Sequence, residues 1–176
     1  MRQPLGRVTS MDDTQWLTAD EEDAWRSMMA VIMLLPGALD AQLQRDARLT
    51  HAGYVVLSAL SEAPERTIRM SRLAMMANMS MSRLSHLVDR FSGQGWVERR
   101  PDPKDGRSTM AVLTDAGREK VVDTAPGHVD NVRTLIFDAL TPEQVSELKG
   151  ISASIAGRLD PENKLGGCSG GVRRTG

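Results

Sequence analysis

Apolar positions near the start of the chain recur at three- and four-residue spacing: Trp25, Met28, Met29, Ile32, Leu35, Leu39 and Leu43. That spacing predicts one face of a helix. It starts near Thr18, with Asp20, Glu21, Glu22 and Asp23 in a first turn whose positive dipole end suits carboxylates. Pro36-Gly37 falls inside the pattern. Pro36 removes a backbone donor and crowds the preceding turn, so a kink or break is expected there. Thr50 suits the N-cap of a second helix through Tyr54, Val55, Leu57 and Leu60, which stops near Ala63-Pro64. A short third helix is expected over 70–77, a tight connection over 78–80, and a fourth helix over 80–92, closed by Gly93-Gln94-Gly95.

The period then changes. Residues 96–100 and 109–113 read as strands of a β-hairpin, separated by a loop, 101–106, rich in turn formers. Thr114-Asp115 caps a long fifth helix that Pro126-Gly127 should interrupt, with the pattern resuming at Val129, Val132, Leu135, Ile136 and Leu140. Thr141-Pro142-Glu143 opens a last helix carrying Val145, Leu148, Ile151, Ile155 and Leu159. The expected fold is mainly α with a small β-hairpin wing. Helix, short turn, helix and hairpin in that order are those of a winged helix-turn-helix.

Composition narrows the picture. Aromatics make up 3% of the 176 residues and there are 11 methionines, so Leu, Met, Val and Ala fill the core, as suits packed helices. The single cysteine, Cys168, excludes an internal disulfide framework and any multi-Cys zinc site. The longest apolar run, 28–35, is far short of a membrane span, and the first ten residues hold no signal-peptide core, so a cytoplasmic protein is expected. Segments 1–14 and 161–176 lack hydrophobic periodicity and are expected to be loose.

The net charge is -1, yet between Arg66 and Arg107 nine basic residues face four acidic ones, about +5 by difference. A local basic bias of this kind is the footprint of a nucleic-acid face. In the fourth helix Leu84, Leu87, Val88 and Phe91 make a buried stripe, while Ser82, Arg83, Ser85, His86, Asp89 and Arg90 lie opposite. Arg83 has the chemistry to pair with guanine O6 and N7. Ser82, Ser85 and His86 can meet base edges or phosphates, the N–H groups after Ser80 favour a phosphate oxygen, and Arg90 suits the backbone.

Enzyme chemistry is not expected. His51, His86 and His128 show no metal-ligand spacing, no nucleophile motif or phosphate loop is present, and neither a cofactor nor a metal is called for. A winged helix that binds protein instead of DNA is the rival reading, because fold alone does not choose between them.

Asp89-Arg90-Phe91, then Gly95 through Ser108 (GWVERRPDPKDGRS), then Leu113-Thr114-Asp115-Ala116-Gly117 together resemble the wing and exit of the MarR family. Trp16-Leu17-Thr18, Glu22 and Ala24-Trp25-Arg26 resemble that family's opening helix. The resemblance, covering about 16–159, implies a regulator that binds double-stranded DNA as an intertwined homodimer, more often a repressor, on a pseudo-palindromic operator. It divides the chain into a dimerisation region (15–48 and 114–160) and a DNA-binding domain (49–113). It places Arg107 in the wing, entering the minor groove or bracing against Asp105. Gly106 stands where many relatives have a second basic residue, which leaves Lys104 as the other candidate probe. It also implies a small aromatic or phenolic effector, with Trp16, Trp25, His51 and Tyr54 as candidate lining residues.

Overall fold

A computed structural model describes residues 14–162. The expected loose ends, Cys168 included, lie outside the described residues except for Thr14, Pro161 and Glu162. The chain divides into two units, one ending at Gly37 and the other beginning at Ala38.

Helix α1 (Ala19–Ala47) runs through Pro36, so the expected break is absent. A proline deletes one donor, and the hydrogen bonds on either side of it hold the remaining turns. By length and composition α1 could cross a membrane, but its run of uninterrupted apolar residues, 28–35, covers only about 12 Å of helix against about 30 Å of bilayer core.

In the second unit, α2 (His51–Glu62) starts where the Thr50 hydroxyl accepts a hydrogen bond from the Gly53 N–H at 3.0 Å. A 3₁₀ turn (Pro64–Arg66) leads into β1 (Thr67–Arg69), a strand that hydrophobic periodicity did not reveal because three residues are too few to show a period. Then come α3 (Met70–Met76) and α4 (Met81–Gly93). Asn78, in the connection between them, has φ of 48°, a conformation Asn tolerates better than most residues.

The hairpin is longer than expected. β2 (Val97–Asp102) and β3 (Asp105–Leu113) leave only Pro103 and Lys104 as the turn, so 101–106 is mostly strand rather than loop. The sheet order β1-β3-β2 explains how Pro101 fits. β2 is an edge strand, where a residue without an N–H costs no ladder bond on the open side. The register shifts between Pro101 and Asp102.

The core of this unit joins α2, α3 and α4 to the sheet through Leu57, Leu60, Leu73, Leu84, Val88, Phe91 and Val97, all at most 1% exposed. α5 (Asp115–Leu135) is capped by Thr114, whose hydroxyl accepts from the Gly117 N–H at 3.0 Å and donates to the Gly95 carbonyl at 2.7 Å. It too runs through its proline, Pro126, against expectation, and ends before a 3₁₀ turn (Phe137–Ala139). α6 (Pro142–Leu159) begins with a full capping box between Thr141 and Gln144.

Candidate nucleic-acid interface

The turn between α3 and α4 decides which residues α4 presents. Leu84, Leu87, Val88 and Phe91 are buried, so the opposite arc turns outward. Ser80 sits at the N-cap, its hydroxyl accepting from the Arg83 N–H at 3.3 Å. Ser82, Arg83, His86 and Arg90 are exposed and Ser85 is half-buried. The Arg90 guanidinium lies 5.7 Å from the Phe91 ring centre.

Not every arginine of the basic stretch is free. Arg66 pairs with Asp115 at 2.7 Å, Arg100 with Glu98 at 2.8 Å, Arg99 with Asp89 at 2.8 Å, and Arg69 with Asp102. Among the described residues, Arg72, Arg83, Arg90, Lys104 and Arg107 make no ion pair. The surplus of positive charge thus falls on α3, through Arg72, on the outer arc of α4 and on the wing.

The wing is braced by its own carboxylates. Asp102 is buried and accepts from the Lys104 N–H at 2.9 Å; that bond and the Arg69 guanidinium hold its carboxyl below the usual carboxylate range. Asp105 accepts from the Ser108 hydroxyl at 2.7 Å and the Arg107 backbone N–H at 3.2 Å, which lower its pKa likewise. Asp105 therefore meets the Arg107 main chain, and Arg107 lines a groove of about 290 Å³ with Arg69, Met81, Ser85, Arg99 and Thr109. On the other flank of α4, Arg83, His86 and Arg90 line an open hollow of about 490 Å³ with Asp40, Thr50 and Met79.

Two contacts went unread in the sequence. Arg99 reaches from β2 to α4, donating to the Ser85 carbonyl and hydroxyl oxygens, both at 2.9 Å. Strand alternation could have pointed to it, since Val97 faces the core and Arg99 shares its side. The second is His128. Its ring lies 4.6 Å from that of Tyr54 and 6.1 Å from that of His51. Burial lowers the pKa of both histidines, offset at His51 by Asp40 and reinforced at His128 by His51. Burial raises that of Tyr54. The histidines that are distant in sequence are thus neighbours, although no group of three or more His, Cys, Asp or Glu side chains suited to a metal occurs among the described residues. Trp16 and Trp25 belong to the N-terminal unit, where they are 71% and 49% exposed.

Comparison with known proteins returns one family. The sequence profile described as "MarR family" matches residues 49–109. Sco3205, a MarR family transcriptional regulator from Streptomyces coelicolor solved in complex with DNA, is 48% identical, with a TM-score of 0.79 over 85% of this chain and 94% of that one. AbsC, a MarR family regulator from the same organism, is 39% identical, with a TM-score of 0.76 over 84% of this chain and 99% of that one. Among curated relatives, the transcriptional repressor MprA of Escherichia coli (strain K12) is 25% identical over 107 residues, 61% of this chain; the match spans 60% of that relative's length.

Proposed function

The chain belongs to the MarR family of transcriptional regulators, and from that premise we propose that it is a cytoplasmic repressor that binds double-stranded DNA as a homodimer. The observation that carries this reading is the outer arc of α4, a serine-capped helix with Arg83 and Arg90 unpaired beside a wing that carries Lys104 and Arg107.

α4 enters the major groove. Ser82, Arg83, Ser85 and His86 face base edges, the Ser80 end of the helix meets a phosphate, and Arg90 contacts the backbone. The wing reaches the adjacent minor groove with Arg107, whose guanidinium has no carboxylate partner among the described residues; Lys104 at the turn follows the phosphates. The 48% identical relative was solved with DNA, which supports the same use of these elements here.

The dimer rests on an apolar stripe that none of the described residues covers. α6 has no buried residue, and Leu148, Ile151, Ile155 and Leu159 recur along it at helical spacing, all exposed. Fully burying such a side chain is worth about 1.5–3 kcal/mol. Residues 15–48 and 114–160 supply this interface and 49–113 the reading lobe. A twofold pair reads two half-sites about 34 Å apart. A small aromatic or phenolic effector releases the DNA by binding beside His51 and Tyr54.

The test is titration of a duplex from the chain's own upstream region, read by fluorescence anisotropy at several salt concentrations. Sequence-preferring binding that falls steeply with salt is expected. Weak duplex affinity at every salt concentration defeats the reading and returns the protein-binding alternative.

A further inference from the structure

Arg99 makes contacts that neither folding the wing nor reading a base requires. One nitrogen, Nη2, donates to the Ser85 carbonyl oxygen at 2.9 Å and to Ser85 Oγ at 2.9 Å, and pairs with Asp89 Oδ1 at 2.8 Å. Ser85 and Asp89 lie one turn apart on α4, and Arg99 stands two residues into the edge strand of the sheet. The wing does not need Arg99 to form. β2 is held by its ladder to β3, and Asp102 fastens the far end to Lys104 and Arg69.

What Arg99 can set is the angle of the wing. From Arg99 to Lys104 is five residues, about 17 Å of extended chain, so a tilt of about 10° at the stem moves the tip by about 3 Å. A minor groove is only about 6 Å wide, so that shift separates entry from a miss. We infer that Arg99 is a positioning residue that fixes the spacing between α4 and the wing tip, so that the helix and Arg107 engage adjacent grooves together. The inference rests on the proposed use of α4 and the wing as the DNA-contacting surface.

The experiment uses the full chain and its own upstream duplex, with hydroxyl-radical and guanine-methylation footprints of the wild type as the first arm. Absence of any footprint defeats the functional reading and, with it, this role for Arg99. Given a footprint, Arg99→Met, Arg107→Ala and the double variant are compared. Arg99→Met is expected to weaken binding about tenfold and to lose protection at the flanking minor grooves, while guanine protection in the major groove persists. Arg107→Ala should then cost little more in the Arg99→Met background, because a displaced wing has no contact left to lose. Independent, multiplying effects of the two substitutions overturn the inference, as does unchanged flanking protection. So does a salt slope shallower by about one for Arg99→Met alone, which marks a direct phosphate contact. Arg99→Lys keeps a cation on a side chain one atom shorter, so the contacts to Ser85 and Asp89 are strained and an intermediate loss is expected; if Arg99→Met does not fold, this variant and its double with Arg107→Ala carry the test.

Discussion

At the scale of single residues, pairing separates arginines that hold the fold from those available to a partner. Arg66, Arg69, Arg99 and Arg100 are occupied by carboxylates, whereas Arg83 and Arg90 are not. Arg83→Ala is expected to cost about 1–3 kcal/mol of operator binding and to relax preference at one base pair, as measured against duplexes varied at each position. Arg90→Ala should weaken all duplexes alike and flatten the salt slope by about one. The histidine pair makes a different prediction. Burial depresses the pKa of both His51 and His128 below the ordinary 6.5, so the folded state prefers them neutral. The unfolded chain then binds more protons, and stability falls as the pH drops below about 6.5. Urea midpoints at pH 7.5 and 5.5 and fixed protein concentration should differ in that direction, and His128→Gln should reduce the difference.

At the scale of elements, the run Leu113 to Gly117 acquires a physical reason. A Cβ on Gly117 would lie 2.2 Å from the Trp96 carbonyl oxygen and 2.7 Å from Leu113, so the first turn of α5 can sit against the wing stem only with glycine there. Gly117→Ala is expected to destabilise the fold by about 3 kcal/mol, read from chemical denaturation. Gly95, between α4 and β2, has open space around it but a φ of 75°. Gly95→Ala should therefore cost only the backbone strain, about 1–2 kcal/mol. The helices were legible because their apolar stripes repeat over several turns. The wing's true length was not, because turn formers at 101–106 suggest a loop unless it is known that β2 lies at an edge, where Pro101 is tolerated.

At the scale of the molecule, the proposed dimer turns on the exposed apolar stripe of α6. Ile151→Glu with Ile155→Glu places charge where the proposed partner packs. The variant is expected to elute as a monomer in light-scattering chromatography and to bind a full operator about 10²–10⁴-fold more weakly, since two lobes no longer act together. A dimer that survives both charges would move the interface elsewhere.

Local order was enough to establish the helical class, the caps at Thr50, Ser80, Thr114 and Thr141, and the face of α4 that turns outward, because each depends on residues within a few positions of one another. Only the tertiary structure decided that Arg99 grips α4, that Asp102 is fastened by Arg69, and that His51, Tyr54 and His128 meet. These contacts join positions 10 to 77 residues apart. A guanidinium or an imidazole carries no mark in its neighbours of what it will touch; packing of the elements around a shared core supplies that.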